Sequence, residues 1–266
     1  MQNRILEPEF RTQVQLDVRG IVPSMKKRLL VLAVVVFFGL TFAQEVTQFA
    51  ANDGLKIYAR FYPAQGRAKA TIMAFHQAGS SKGEYAKIAP RLNELGFHVL
   101  AVDQRSGGSM SGDPNETVQA NNGKESSHID ALPDLEAAFA WVRQDERTKT
   151  GKLIAWGSSY SASLAFLLAQ QHPEINAVMA FSPSDSYLER GGLVLDAAKS
   201  LKASVFIAST AAEKYEAKSI FSAVTHKNKI FFVPKGAGSH GSNALNLPIS
   251  SQEYWMATEQ FLTWFK

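Results

Sequence analysis

Residues 153–165, Leu-Ile-Ala-Trp-Gly-Ser-Ser-Tyr-Ser-Ala-Ser-Leu-Ala, constrain the fold more than any other stretch of the chain. An apolar run ends at Gly157, a serine-rich corner follows, and small and apolar residues continue to Gln170 at helical density. This pattern predicts a buried strand that turns sharply into a buried helix. The corner has the form Gly-x-Ser-x-Ser and is centred on Ser159, so we expect Ser159 on the turn itself.

The same alternation of apolar runs and amphipathic segments extends along the chain. Two alternating runs around Asn52-Asp53-Gly54 predict an antiparallel hairpin over residues 45–50 and 55–62. Further strands are predicted at residues 70–75, 97–102, 152–156, 177–181, 205–208 and 228–233. Helices are predicted at residues 84–95 (kinked at Pro90), 130–144, after the Ser159 corner, and 252–265. The sequence therefore predicts an α/β fold: a doubly wound, mostly parallel sheet with an antiparallel N-terminal hairpin and no large lid.

Composition limits the classes of function. The chain has 266 residues and no cysteine, which suits one α/β domain and excludes disulfides and thiolate metal sites. The net charge is +4, but residues 1–43 carry six Lys or Arg and three Asp or Glu, which leaves the remainder at +1. This balance gives no basis for nucleic-acid binding. No three histidines have metal-ligand spacing, so neither a metal nor another cofactor is expected.

The N-terminal region has the pattern of a targeting segment. Met-Lys-Lys-Arg begins at Met25, an apolar run follows, and small residues precede Gln44. We interpret residues 25–43 as a secretory signal peptide, residues 1–24 as a non-structural upstream extension, and residues 44–266 as the folded domain. The alternatives are a genuine disordered extension and an uncleaved anchor, although the run is short for a span of about 20 residues. We expect an exported protein, periplasmic or extracellular, without stable membrane insertion after cleavage.

The candidate catalytic residues follow predicted strands. A serine hydroxyl is a weak nucleophile, so Ser159 needs a base within hydrogen-bond reach and an acid that orients the base. His240 lies in a glycine-rich loop directly after the last predicted strand, and Glu213 follows the strand before it. Carboxyl ends of parallel strands meet at one edge of a sheet, so these three side chains are expected to converge. Asp185, which follows the strand at 177–181, is the alternative acid, and a solvated Glu213 in the first turn of a helix is the alternative role for that residue.

These segments resemble the α/β-hydrolase superfamily, and within it the small lidless dienelactone-hydrolase-like enzymes. The resemblance covers residues 46–265 and rests on His76-Gln77-Ala78-Gly79, Gly157-Ser158-Ser159-Tyr160-Ser161, Glu213 and Ser239-His240-Gly241. The order serine, acid, histidine is that of the superfamily, whose nucleophile sits in a Gly-x-Ser-x-Gly elbow. The chain departs from the pattern at Ser161, at Gln77 where many members have glycine, in its glutamate acid, and in using serine where dienelactone hydrolase has cysteine.

The resemblance also implies an oxyanion hole built from two backbone N–H groups. One belongs to the residue after the nucleophile, Tyr160, and the other to the loop after the strand that ends at Phe75, at Gln77 or Ala78. His76 is expected to hold this loop by hydrogen bonding. The remaining histidines are interpreted as core or surface residues, and they include His98, His128 and His172.

The expected function is a secreted serine hydrolase that cleaves carboxylic esters through an acyl-enzyme. Without a lid the site should be open, with residues 105–122, Tyr160 and residues 184–192 as its walls, which favours a small soluble ester as the substrate. Two alternatives remain at the level of the sequence. The same three residues would serve a peptidase or thioesterase, and the altered elbow is also compatible with a catalytically silent binding protein of this fold.

Overall fold

A computed structural model describes residues 44–248 and 251–266, and they form one eight-stranded sheet with helices on both faces. The strands are Glu45–Ala50 (β1), Lys56–Tyr62 (β2), Ala70–Phe75 (β3), Phe97–Val102 (β4), Leu153–Ser158 (β5), Ile175–Phe181 (β6), Ser204–Ala208 (β7) and Lys229–Phe232 (β8). Their order in the sheet is β1-β2-β4-β3-β5-β6-β7-β8. The strand that leads to Ser159 therefore lies near the middle of the sheet.

The pairing confirms the fold class expected from the sequence. Strand β2 pairs with β1 and with β4 in antiparallel fashion, whereas every pairing from β4 to β8 is parallel. The hairpin turns at Gly54, which has a φ of 84°. Parallel strands with helical crossovers bring the carboxyl ends of β3, β5, β6, β7 and β8 to one edge, and this edge carries the candidate site.

The helices are Ala89–Glu94 (α1), Glu116–Ala120 (α2), Leu132–Gln144 (α3), Tyr160–Gln171 (α4), Leu193–Ser200 (α5), Lys214–Ala223 (α6) and Ser251–Leu262 (α7). The sheet separates two apolar clusters. In β4, Phe97, Val99 and Ala101 belong to the cluster shared with α1 and α7, and Leu100 and Val102 to the cluster shared with α3 and α4. Full burial of such side chains contributes about 1.5–3 kcal/mol each, which fixes the sheet between its two helical layers.

Two local expectations were wrong. The helix expected at 84–95 is a 3₁₀ turn, Lys82–Tyr85, followed by the separate helix α1. Pro90 lies in the first turn of α1, where its missing N–H would have had no partner anyway, so proline begins this helix instead of kinking it. The loop that follows β4 contains α2, whose N-terminus is capped by the Asn115 side chain accepting from the Val118 N–H.

The connection between β6 and α5 is short. Residues 182–192 contain only the 3₁₀ turn Asp185–Leu188, so within residues 44–248 no lid domain is inserted there, as expected. Across the two described ranges, none of the helices is both long and apolar enough to cross a bilayer. The interpretations of residues 1–24 and 25–43 lie outside the described residues.

Candidate active site

Ser159 occupies a strained turn between β5 and α4. Its φ of 59° and ψ of −125° lie in a region that L-residues rarely adopt, at a cost of about 1–3 kcal/mol. Two backbone hydrogen bonds hold it: the Ser159 N–H donates to the Phe181 carbonyl at 2.8 Å, and its own carbonyl accepts from Ala162 at 2.9 Å. The strained turn presents the hydroxyl at the strand edge, as the sequence predicts.

The turn is so tight that Gly157 has no alternative. An ideal Cβ on Gly157 would lie 2.2 Å from the Ser161 carbonyl oxygen and 2.4 Å from the Ala162 Cα. Position 161, in contrast, accommodates a side chain. The Ser161 hydroxyl donates to the His76 carbonyl at 2.6 Å and accepts from Gln104 Nε2 at 2.6 Å. The departure from glycine at position 161 therefore links the turn to the loop after β3.

His240 and Glu213 come together at the same edge. His240 Nδ1 lies 2.6 Å from Glu213 Oε1, which places the ring proton on Nδ1 and leaves Nε2 as the basic nitrogen. Burial raises the pKa of Glu213, but the hydrogen bond with His240 and the neighbouring Ser182 hydroxyl outweigh this effect and lower that pKa to about 2. Glu213 is thus an anion that can orient the imidazole and stabilise its charged form.

Asp185 plays a different part from the one considered for it. Its carboxylate accepts from the backbone N–H groups of Gly192, Val194 (2.9 Å) and Leu195 (3.2 Å). These are N–H groups at the start of α5, which lack partners within the helix. A carboxylate near a helix N-terminus is stabilised there, so Asp185 caps α5 and leaves Glu213 as the acid beside His240.

Ser159 is only 7% exposed and faces Tyr187 as well as the site. Burial raises the pKa of the Tyr187 hydroxyl, and its contact with the Ser159 hydroxyl lowers it in part. Among the described residues, the hydrogen bond between the Ser159 hydroxyl and His240 is not formed, whereas the one between His240 and Glu213 is. Catalytic hydrogen bonds are often long without substrate and shorten when it binds.

The loop after β3 distinguishes between Gln77 and Ala78, the two candidates for the second oxyanion donor. The Gln77 N–H donates to Glu84 Oε2 at 2.9 Å, so it points into the protein and is not the donor. The Gln77 carbonyl accepts from His76 Nδ1 at 2.8 Å and from Ser80 N–H at 3.2 Å. Because N–H and C=O of a trans peptide point in opposite directions, the Ala78 N–H is turned away from these partners, and it donates to no described residue. Ala78 fits the expected role, as does Tyr160, whose N–H lies in the first turn of α4.

His76 holds this loop, as expected from the sequence. Its Nε2 accepts from the Gln104 N–H at 2.9 Å and from Asn115 Nδ2 at 3.2 Å, so the proton is on Nδ1 and is donated to Gln77. Burial lowers the pKa of His76, which keeps the ring neutral. Gln104 completes the network through Nε2, which also donates to the Tyr160 hydroxyl at 3.1 Å.

His128 is part of a wall of the site, a role that the sequence analysis missed. Its ring stacks on Tyr160 with centroids 4.4 Å apart, and its Nδ1 donates to the Tyr187 carbonyl at 3.0 Å. A cleft of about 370 Å³ opens beside His128. A larger cleft of about 790 Å³ shares Arg105 and Lys124 with it. Neither cleft is lined by Ser159 or His240, so the volume of a cleft does not identify the site.

The sequence analysis also missed Glu84, Ser158 and Ser182. Glu84 is fully buried and accepts from the Ser158 hydroxyl at 2.7 Å as well as from Gln77. The Ser182 hydroxyl accepts from the Gly241 N–H at 3.1 Å, which anchors the loop that carries His240. The sequence pattern predicts Glu84 in an amphipathic helix, where a glutamate is normally solvated, and only the burial of its segment distinguishes it.

Comparison with known proteins agrees with the fold. A model of the family described as serine aminopeptidase, S33, matches residues 66–230, more than half of the chain. A polyketide transferase of Stachybotrys chlorohalonatus is 24% identical over 147 residues, which cover 54% of this chain and 46% of that protein. The chain thus matches less than half the length of this curated relative.

Solved structures superpose over most of the described residues. An esterase of Pyrococcus furiosus has a TM-score of 0.66 at 18% identity, covering 84% of this chain and 93% of that chain. A dienelactone hydrolase from Anabaena variabilis has a TM-score of 0.66 at 14% identity, covering 84% and 98%. At such low identity these similarities show the fold, and they confirm that it is the α/β-hydrolase fold.

Proposed function

The chain belongs to the serine aminopeptidase S33 family of α/β-hydrolases, and we propose that it is a serine hydrolase that cleaves carboxylic esters. The observation that carries this proposal is the pair formed by His240 and an ionised Glu213 at the strand edge that presents Ser159. A half-buried imidazole–carboxylate pair next to a strained serine turn is the arrangement that activates a hydroxyl for acyl transfer.

In the proposed reaction, Ser159 Oγ attacks the acyl carbon while His240 Nε2 accepts its proton. The carbonyl oxygen becomes an oxyanion, which the N–H groups of Tyr160 and Ala78 stabilise. When the tetrahedral intermediate collapses, the C–O bond to the alcohol breaks and His240 returns the proton to the leaving alkoxide. Water then attacks the acyl-enzyme with His240 as the base, releasing the carboxylic acid and restoring the Ser159 hydroxyl. Throughout, Glu213 stays ionised and balances the imidazolium.

The surroundings of Ser159 limit the class of substrate. Residues 182–192 add no lid, which favours a small soluble ester over a long acyl chain. A peptidase is the second candidate because the matching family is described as a serine aminopeptidase. An aminopeptidase must in addition bind the free ammonium group of its substrate, so activity on an aminoacyl p-nitroanilide separates it from an esterase. A thioesterase would use the same steps.

The test is fluorophosphonate labelling of the full-length chain, with hydrolysis of p-nitrophenyl acetate, an acyl thioester and an aminoacyl p-nitroanilide measured in parallel. Ser159→Ala and His240→Ala should abolish labelling and turnover. Glu213→Gln should lower kcat on the order of 10⁴-fold, because the amide no longer holds the Nδ1–H tautomer. If folded wild-type protein is neither labelled nor active, the chain is a silent binding protein and the proposal is wrong.

The chain supplies a matched control for Glu213→Gln. Glu136 pairs with His172 at 2.5 Å, so Glu136→Gln breaks a second glutamate–histidine pair. His172 follows the C-terminal end of α4, whose N-terminal end carries Ser159, and twelve helical residues separate them by about 18 Å. Glu136→Gln should therefore keep kcat within about threefold of wild type. Equal losses in both variants would show that stability, not catalysis, is being measured.

We further propose export from the cytoplasm, which rests on the sequence pattern of residues 25–43. Expression of the full-length chain in a secreting host should yield a protein whose N-terminus, read by mass spectrometry, is Gln44 or lies within a few residues of it. Recovery of the uncleaved chain from the cytoplasm would overturn this proposal.

A further inference from the structure

Glu84 is a buried carboxylate that the proposed reaction does not use. It is 3% exposed, yet its two carboxylate oxygens face two donors on different segments of the candidate site. Oε2 accepts from the Gln77 N–H at 2.9 Å, and Oε1 accepts from the Ser158 hydroxyl at 2.7 Å. A buried charge is expensive unless it is hydrogen-bonded, so its retention at this place requires a reason.

The connection continues to the segment that carries the base. Ser158 Oγ, which donates to Glu84, also accepts from the Ser242 N–H at 2.8 Å. Ser242 is two residues after His240, and the close approach of this loop is visible at Gly241. An ideal Cβ on Gly241 would lie 2.4 Å from Ser158 Oγ, and the φ of 68° also favours glycine. The loop that carries His240 therefore packs directly on Ser158.

We propose that Glu84 is a positioning residue for three segments of the site. It sets the relative placement of the loop after β3 through Gln77, of the turn at Ser159 through Ser158, and of the loop that carries His240 through Ser158 and Ser242. The inference deepens the proposed function and rests on it. A carboxylate suits this position because it only accepts, and here two donors converge on it. Glu84 does not touch the substrate.

Gln77 and Ser158 each directly precede a residue that takes part in the proposed reaction. Gln77 N–H belongs to the peptide unit directly before the one that carries the Ala78 N–H, the candidate oxyanion donor. Ser158 directly precedes Ser159. Donors must lie within a few tenths of an ångström of their positions to stabilise an oxyanion, and loss of one such donor lowers kcat about 10²–10³-fold. An error in the placement of either segment should therefore reduce kcat more than substrate binding.

The variants at this position form a graded series. In Glu84→Gln the amide oxygen still accepts from Gln77, but Nε2 faces Ser158 and the Ser158 proton loses its acceptor. Glu84→Ala removes both links. We expect kcat for p-nitrophenyl acetate to fall about 10-fold in Glu84→Gln and about 100-fold in Glu84→Ala, with KM within about threefold of wild type. The rate of fluorophosphonate labelling should fall in parallel.

Ser158→Ala tests whether Glu84 acts through Ser158. It breaks the link between Glu84 and Ser242 while leaving Gln77 bonded, so its kcat should match that of Glu84→Gln. The double variant Glu84→Gln/Ser158→Ala should have a kcat no lower than that of the less active single variant, because both substitutions remove one shared connection. Independent, multiplicative losses would overturn the proposed connection. If Glu84→Ala does not fold, Glu84→Gln and Ser158→Ala still decide the question.

Thr148→Val is the control for stability. The Thr148 hydroxyl is buried and donates to the Val142 carbonyl at 2.6 Å, at the end of β5 away from Ser159. Its removal should lower thermal stability without changing kcat. Active wild-type protein with kcat unchanged in Glu84→Gln and Glu84→Ala would refute this inference alone, whereas inactive, unlabelled wild-type protein would refute the proposed function.

Discussion

Replacement of Ser161 tests whether the departure from Gly-x-Ser-x-Gly has a physical role. Ser161→Gly restores the common superfamily pattern, and Ser161→Ala removes only the hydroxyl. Both variants leave the His76 carbonyl, which is buried, without its partner at 2.6 Å, and both remove one of the two acceptors of Gln104 Nε2. The structure therefore predicts that restoring the common residue damages this protein.

The magnitude follows from these two groups. A buried carbonyl left without a partner costs about 1–3 kcal/mol. Gln104 Nε2 keeps its bond to the Tyr160 hydroxyl at 3.1 Å, so its loss is smaller, about 0.5–1.5 kcal/mol. The free energy of unfolding of Ser161→Ala should therefore fall by about 1.5–4.5 kcal/mol. Ser161→Gly should lose about 1 kcal/mol more, because position 161 lies in α4 and glycine is a poor helix former.

Activity separates this role from a purely structural one. Because Ser161 holds the carbonyl of His76, whose loop carries the Ala78 N–H, kcat should fall about 10–100-fold when the hydroxyl is removed. Ser163→Ala is the matched control on the same helix. The Ser163 hydroxyl is also buried, donates to the Ser184 carbonyl at 2.7 Å and accepts from its N–H at 3.2 Å.

Urea denaturation followed by circular dichroism gives the stability of each variant, and p-nitrophenyl acetate hydrolysis gives kcat. Ser163→Ala should lose stability like Ser161→Ala but keep kcat within about threefold of wild type. The reasoning is refuted if Ser161→Gly is as stable and as active as wild type, or if Ser163→Ala loses kcat to the same extent.

Three further predictions concern the turn, the cap and the acid. Gly157→Ala should destabilise the protein by about 3 kcal/mol or more, measured by urea denaturation, because its Cβ would meet the Ser161 carbonyl at 2.2 Å; a wild-type midpoint would contradict the tight turn. Asp185→Ala should lower the free energy of unfolding by about 1–2 kcal/mol through loss of the α5 cap and leave kcat near wild type, and a large loss of kcat would return Asp185 to the catalytic set. The pKa of Glu213 is lowered from 4.5 to about 2, so its ionised form stabilises the fold above pH 4.5, and this contribution is lost as the pH falls towards 2; Glu213→Gln should show a smaller loss of stability than wild type across that window, and identical pH profiles would contradict the lowered pKa.

The sheet and the placement of the three candidate residues at one edge of it could be predicted because both follow from chain order. A parallel sheet brings strand ends together, so a serine after β5, an acid after β7 and a histidine after β8 must share an edge. The apolar runs located those strands to within a residue or two, since burial on both faces leaves a continuous signal. Pairing of His240 with Glu213 then required only that the acid lie on the neighbouring strand.

The routing of hydrogen bonds could not be predicted in the same way. Gln77 and Ala78 are adjacent, and which N–H faces the site depends on the rotation of one peptide plane, on which residue spacing carries no information. Asp185 follows the end of β6, where a catalytic acid could lie. Its carboxylate instead accepts hydrogen bonds from the backbone at the start of α5, and not from His240. Glu84 looks like a solvated helix residue until the 3₁₀ turn places it beneath the site.

The peptide unit between His76 and Gln77 joins these observations. Its carbonyl is held by Ser161 and its N–H by Glu84, so one rigid plane is fixed from both sides by buried side chains. The next plane is held through the Gln77 carbonyl by His76, which turns the Ala78 N–H, the proposed oxyanion donor, away from His76. A glycine at position 161 would remove the hydrogen bond that holds the His76 carbonyl. The serine in the altered turn and the unused glutamate therefore act on the same bond, and variants of either should converge on one phenotype, a lowered kcat with an intact KM.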